Sequence, residues 1–297
     1  MSSDIFRGVL LLCDMDGTLL DNKRRLGEKN KAAIERFVES GGLFTLATGR
    51  MKASVELYKL PISVPAIIYN GAAIYDFKKD ETLWSDNLQE CIKYVIARVV
   101  ERFAGIGLEV YSGGIIYIIN ENEHTIDHMI RERFTPVYVD SLDEIPQPWT
   151  KVLFAWEPKK LPGVESFLKG FNEPFEQVYS ELQFLEILNK GISKGSGLRR
   201  LKQLLDEEIR CIVAIGDNMN DIELIQEADV GIAMGNAKEP LKRIADFCCV
   251  DNESDAIADV IDRIEEIARA SYEKKEAPMS AEILISGLNR LKSNCYL

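Results

Sequence analysis

Short apolar runs and amphipathic stretches alternate at both ends of the chain. Gly8 to Cys13 reads GVLLLC, an unbroken apolar run of strand length. Runs without polar alternation belong to strands covered on both faces. Lys29 to Ser40 then carries Ala33, Ile34, Phe37 and Val38 at helical spacing, and Gly41-Gly42 ends it. Leu43 to Ala47 predicts a second strand, and Met51 to Leu60 a helix stopped at Pro61. Ala66 to Tyr69 predicts a third strand, leading into a turn at Asn70-Gly71.

The same rhythm returns late. Ser196 to Glu207, Asp221 to Glu227, Glu239 to Ala245 and Asp255 to Ala268 read as helices. Cys211 to Ile215, Val230 to Ala233 and Phe247 to Val250 read as strands between them. Together the two ends predict a doubly wound, Rossmann-like α/β core with a parallel sheet, built from residues 1–79 and 189–270. Residues 80–188 break the pattern with longer alternating strands (Gly114 to Asn120, Glu181 to Leu188) and helices (Gln89 to Phe103, Glu123 to Arg133). Prolines at 136, 146, 148, 158, 162 and 174 punctuate this stretch, which predicts an inserted α+β domain. Residues 271–297 open on the polar linker SYEKKEAP and then place Ile283, Leu284, Leu288 and Leu291 on one helical face. That stripe predicts a helical extension that docks on the core, docks on a partner, or stays mobile.

Composition narrows the classes. A chain of 297 residues supports two domains at about 150 residues each. A net charge of −12 lacks the basic excess of a general nucleic-acid binder. No apolar run reaches the ~18 residues that span a bilayer, and Met1 to Arg7 lacks the pattern of a signal peptide. The six cysteines are irregularly spaced, and Cys13, Cys211, Cys248 and Cys249 lie in apolar runs, which predicts reduced core thiols. Cys295, third from the end, makes no prenylation box. These features predict a cytoplasmic protein, a monomer or small homo-oligomer, with no nucleic-acid or membrane partner.

Candidate chemistry follows three predicted core strands. Asp14 and Asp16 follow GVLLLC, Thr48-Gly49-Arg50 follow LFTLA, and Asp217, Asn220 and Asp221 follow CIVAI. Ligands of open parallel sheets bind beyond the carboxyl ends of the strands, so these clusters can converge. Asp14, Asp16, Asp217 and Asp221 would gather negative charge there, and hard oxygens suit Mg²⁺. A carboxylate that attacks phosphate makes an aspartyl-phosphate, and Asp16, two residues from Asp14, is spaced to move the protons. Lys194 and Thr48 can offset or hydrogen-bond the phosphoryl charge. Each cluster alone is an ordinary turn or helix cap; it is the combination, in order, that carries information.

DMDGTL (Asp14 to Leu19), ATGR (Ala47 to Arg50), GISKGSGL around Lys194 and GDNMND (Gly216 to Asp221) occur in that order. NGA at Asn70 to Ala72 and MGNA at Met234 to Ala237 accompany them. In these motifs the sequence resembles the haloacid dehalogenase superfamily, and within it the Cof-type sugar-phosphatase group, over roughly residues 8–265. The resemblance implies a Mg²⁺-dependent phosphatase of small phosphorylated metabolites, with the inserted domain as a type-2 cap. It implies Asp14 as nucleophile and Asp16 as acid/base, whose backbone carbonyl binds Mg²⁺ beside Asp14 and Asp217. It makes Asp221 a support of the metal shell. Thr48 and Lys194 match the phosphate-binding pair, and Gly49, Asn70, Gly71 and Asn220 fall near the phosphate or leaving group.

Two rivals share these residues: a phosphomutase of the same superfamily, and a non-catalytic protein that binds phosphometabolites. The histidines, His124 and His128, stand four apart on a predicted helix, as surface or substrate-rim residues rather than metal ligands. Trp84, Trp149 and Trp156 read as packing residues of the inserted domain.

Overall fold

The computed structural model describes residues 4–205, 208–273 and 279–294. Glu207, linker residues 274–278, the Leu291 side chain and Cys295 lie outside the described residues. The chain opens with β1 (Val9–Cys13), α1 (Glu28–Glu39), β2 (Leu43–Leu46), α2 (Lys52–Glu56), β3 (Ala66–Ile68), β4 (Ala73–Asp76) and β5 (Glu81–Ser85). It continues through α3 (Ile92–Arg102), β6 (Gly107–Ser112), β7 (Ile115–Ile119), α4 (Glu123–Glu132), β8 (Val137–Tyr138), β9 (Trp149–Ala155), α5 (Leu161–Leu168), β10 (Phe175–Glu181) and β11 (Phe184–Asn189). It closes with α6 (Lys194–Leu204), β12 (Cys211–Gly216), α7 (Ile222–Glu227), β13 (Val230–Ala233), α8 (Glu239–Ile244), β14 (Phe247–Cys248), α9 (Ala256–Glu273) and α10 (Ala281–Asn294).

The expected parallel sheet is present, in the order β14-β13-β12-β1-β2. All five residues of β1 are fully buried, as a strand covered on both faces requires. Burying each such leucine contributes about 2 kcal/mol. Register places the site. Cys13 stands opposite Ile215 on one side and Leu46 on the other, so three strands end level. Asp14 donates its N–H to Ile215 O at 3.0 Å, and Ala47 donates to Cys13 O at 3.0 Å. The loops bearing Asp14, Thr48 and Asp217 therefore leave the sheet side by side.

The inserted stretch forms a six-stranded sheet, β10-β11-β9-β6-β7-β8, antiparallel except for the β7–β8 pair. Trp149, Phe154 and Leu185 sit in its own core with Ile92, Val95 and Val99 of α3.

Several expectations need correction. Residues 80–85 do not join the inserted sheet; β5 pairs with β4, and β4 with β3, in a separate three-stranded sheet. Trp84 on β5 consequently packs against the core cluster, under the Arg200 guanidinium at 5.4 Å. Glu181 to Leu188 is not one strand: Glu181 ends β10, the chain turns at Leu182-Gln183, and Phe184 opens β11, with apolar alternation surviving the turn. The predicted helix at Met51 to Leu60 stops at Glu56, ahead of Lys59, which adopts φ 48°. Cys248 is exposed, on edge strand β14, and is no core thiol.

Of the three fates of the extension, docking on the core is the one observed. Leu284 and Leu288 of α10 are buried in the core cluster with Ile264 and Ile267 of α9. A Cβ on Gly287 would stand 2.6 Å from Ile267, so the glycine permits the close approach. Among the described residues no helix is long and apolar enough to cross a membrane.

Candidate active site

Asp14, Asp217 and Asp221 bring one carboxylate oxygen each within 4.8 Å of one another. Lys194, the first residue of α6, donates to Asp14 Oδ1 at 2.7 Å and Asp221 Oδ1 at 2.6 Å. A capping box on Ser193 fixes that helix start. Asp221 turns its other oxygen inward and accepts the N–H groups of Asp217 and Asn218, both at 3.0 Å. Thr18 Oγ1 donates to Asp217 Oδ1 at 3.0 Å. Gly17, at φ 78°, lets the first loop pass Asp217, since a Cβ there would meet its Oδ2 at 2.4 Å.

This cluster holds more negative charge than one lysine can offset. Burial pushes the Asp14 carboxyl up, Lys194 pulls it back, and Asp221 adds to the rise, leaving it at about 6. Burial, then the Asp14 and Asp221 charges, push Asp217 up to about 8. Burial works against the Lys194 ammonium, but Asp14 and Asp221 outweigh it and hold its pKa above the ordinary lysine range. A dense all-oxygen set with unmet charge fits a hard divalent cation such as Mg²⁺. Among the described residues it is the one His, Cys, Asp and Glu grouping close enough to hold a metal.

The Asp16 carboxylate lies outside that cluster. Arg50 binds it through two nitrogens, Nε to Oδ2 and Nη2 to Oδ1, each at 2.7 Å. Arg24 also contacts Oδ1 and reaches Glu181 Oε1 on the inserted sheet at 2.6 Å. Thr48 is fully buried and shapes its loop: its Oγ1 accepts the Arg50 N–H at 3.1 Å, and its carbonyl accepts the Asn70 N–H at 2.9 Å. Asn220 Nδ2 donates to Asn70 Oδ1 at 3.0 Å. Gly71, at φ 103°, sits where a Cβ would lie 2.0 Å from Ser193 O, which brings its loop against the start of α6.

Between the core and the inserted sheet lies a cavity of about 40 Å³, floored by Asp14, Asp16, Gly49 and Asn220. Of the expected phosphate-site residues, Thr48 and Gly71 do not line it. Lys194 and Asn70 line an adjoining cleft of about 610 Å³ instead, together with Asn220.

The roof of the cavity escaped the sequence reading. Lys151 on β9 and Glu186 on β11, each 2% exposed, pair at 3.0 Å. Lys151 also donates to Gly49 O at 3.0 Å, and Asn70 Nδ2 donates to Glu186 at 2.9 Å. His128 lines the roof too, so it is no surface residue; it pairs with Glu109 at 2.9 Å and Glu132 at 3.4 Å. Burial works against its charge, yet Glu109 and Glu132 outweigh burial and raise the imidazole to about 10. Burial likewise opposes the charge of Glu132, but His128 first, then Arg50 and Lys151, hold its pKa well below the carboxylate range. The signal that could have found these residues is a lone charge inside an apolar strand, as in FLEIL and GLEVYS. His124 stays at the helix start beside Glu123.

Comparison with known proteins identifies the family. The profile described as haloacid dehalogenase-like hydrolase matches residues 11–261. The pyridoxal phosphate phosphatase YbhA of Escherichia coli is 29% identical over 268 residues, 85% of this chain and 97% of that protein. A solved haloacid dehalogenase-like hydrolase from Bacteroides thetaiotaomicron superposes with TM-score 0.76 at 27% identity, covering 87% of this chain and 100% of that one. A solved subclass IIB sugar phosphatase shares the fold with TM-score 0.74 at 21% identity, over 86% of this chain and 98% of that one. The chain thus belongs to the haloacid dehalogenase-like hydrolase family and is a phosphoric monoester hydrolase.

Proposed function

We propose that the protein is a Mg²⁺-dependent phosphatase of small phosphorylated metabolites, sugar phosphates first among them, working through an aspartyl-phosphate on Asp14. The observation that carries this reading is the buried cluster of Asp14, Asp217 and Asp221 around Lys194 at the level ends of three parallel strands. Asp14 and Asp217 would hold the metal with the Asp16 carbonyl, and Asp221 would brace them. When bound, Mg²⁺ supplies charge that lets a carboxylate and a phosphate dianion approach.

The chain's own groups do the rest. An Asp14 oxygen bonds to phosphorus as the ester P–O bond breaks, and Asp16 gives its proton to the departing oxygen. Asp16 then takes a proton from the water that attacks phosphorus and returns Asp14 as a carboxylate. Lys194 offsets charge throughout, and Thr48 holds the loop over which the phosphoryl group sits. Both Asp16 oxygens are engaged by arginines in this closed form, so Asp16 must release one of those contacts to act. The cavity has room for roughly three water molecules, which makes it little larger than the phosphoryl group. Substrate entry therefore requires the inserted domain to lift, in the manner of a lid.

The deciding experiment is a screen of phosphorylated metabolites with Mg²⁺, ranked by kcat/KM, alongside Asp14→Asn. The reading expects phosphate release that the substitution abolishes. Isomerisation without free phosphate would instead indicate a mutase.

A further inference from the structure

The roof contains a carboxylate oxygen to which no protein group donates. Glu186 is 2% exposed and lines the cavity. The hydrogen bonds it receives, from Asn70 Nδ2 at 2.9 Å and Lys151 Nζ at 3.0 Å, both fall on Oε2. Among the described residues, Oε1 receives none. A carboxylate oxygen that faces a small polar cavity and lacks a protein donor favours a guest that brings one.

The surroundings say which donors fit. Glu132 and Glu181 line the same cavity, and the roof carboxylates are paired with cations: Glu186 with Lys151, Glu132 with His128, Glu181 with Arg24 and Arg131. A second phosphate or a carboxylate on the substrate would have no hydrogen to give Glu186 Oε1. It would also bring like charge against that oxygen. A hydroxyl can donate to Oε1 without adding charge.

We propose that Glu186 is a specificity-determining residue. Its Oε1 accepts from a hydroxyl on the leaving group close to the phosphoryl site. This rests on the phosphatase reading above. The cavity is small, so the hydroxyl it reads lies on a carbon near the ester oxygen. Lys151 acts through Glu186: it fixes the carboxylate and ties it to Gly49 O, so the acceptor keeps its place above the phosphate loop.

The test compares two esters of equal chain length in one enzyme preparation, glycerol 1-phosphate and propyl phosphate. Wild-type kcat/KM is expected to favour the glycerol ester by about tenfold or more, since a site built to bond a hydroxyl discriminates against its absence. In Glu186→Gln the Asn70 and Lys151 donors claim the amide oxygen, which turns the amino group to the cavity and replaces an acceptor with a donor. The ratio is then expected to fall to within about threefold of unity. A folding defect scales both esters alike and leaves the ratio intact. Glu186→Asp, which withdraws the carboxylate while keeping its charge, is expected to lower the ratio too. A wild-type ratio near unity or an unchanged ratio in both variants would overturn the assignment. Phosphate release with a flat ratio sinks Glu186 alone; no release from any ester sinks the phosphatase reading and this inference with it.

Discussion

The floor of the cavity comes from loops that leave neighbouring parallel strands, and its roof from side chains in the middle of an antiparallel sheet. Floor residues arrive in short motifs because strands β1, β2 and β12 end level, and the residue just past each end is already in place. Roof charges arrive scattered, Lys151 from β9, Glu181 from β10, Glu186 from β11, His128 and Glu132 from α4, and their neighbours in sequence include ordinary core positions. The floor gathers like charges, with Asp14, Asp217 and Asp221 sharing one lysine. The roof pairs opposite charges, Lys151 with Glu186 and His128 with Glu109 and Glu132. Unbalanced charge suits a site that must bind a cation and a phosphate. Balanced charge suits a wall that must be dry, shaped and selective.

That contrast predicts unequal costs of substitution. The largest belongs to the floor. Asp14→Asn should lower kcat/KM by about 10⁴-fold or more, because a missing nucleophile leaves only binding and electrostatics. Phosphate release under saturating Mg²⁺ is the measurement, and a loss of less than tenfold would show that the roof, not the floor, holds the reacting group.

Next comes Lys194→Met. It leaves Asp14 and Asp221 without their buried cation. Activity should fall by about 10²- to 10³-fold, the usual cost of removing one preorganised stabiliser of developing charge. The melting temperature without metal should also fall, since an uncompensated buried charge costs roughly 3–5 kcal/mol. Mg²⁺ should raise the melting temperature of the variant more than that of the wild type, and chelation should abolish turnover in the wild type. Equal Mg²⁺ shifts in both would mean that the cluster is not where the ion binds.

The roof predicts a pH effect on stability instead. Folded His128 keeps its proton up to about pH 10, while an unfolded histidine releases it near 6.5. The stabilisation is thus complete below about 6.5 and is lost as pH rises through about 10. On the order of a few kcal/mol should disappear across that window. Urea denaturation of wild type and His128→Gln at pH 6.5 and pH 10 checks this: the variant should be less stable at the lower pH, and the gap should close at the higher. A gap that widens with pH would reverse the sign and break the pairing argument.

How much of this was legible follows the same division. GVLLLC and CIVAI announced buried parallel strands, and the polar residues after them announced the floor. Arg50 was visible in ATGR, but nothing in the sequence said that it would grip Asp16, because that contact depends on the turn between β2 and α2. Glu186 and Lys151 were invisible as a pair, for they are 35 residues apart and meet only when β9 and β11 register. The Glu181 to Leu188 stretch was misread because alternation continues across the turn at Leu182-Gln183. Short-range patterns reveal strands and the loops beyond them; pairing register, which no local pattern encodes, decides the roof.

The smallest effect tests the seam between floor and roof. Arg24 and Arg50 hold the same carboxylate, yet the Arg50 side chain is 1% exposed and that of Arg24 is 21% exposed. Arg24 joins Asp16 to Glu181 across the cavity, and Arg131 steadies Glu181 at 2.9 Å. Half-hydrated pairs are worth about 0–1 kcal/mol, whereas breaking a buried one costs about 3–5 kcal/mol. Arg24→Gln should therefore change unfolding free energy by less than about 1 kcal/mol, and Arg50→Gln by several times more. If Arg24 serves mainly to clasp the roof to the floor, its loss should ease opening, and added salt should mimic it in the wild type by screening the same contact. The check is urea denaturation of both variants, with limited proteolysis of the seam at low and high salt. Arg24→Gln that destabilises as much as Arg50→Gln would mean that Asp16 is held by both arginines equally, and that the seam belongs to the floor's charge cluster rather than to a separable clasp.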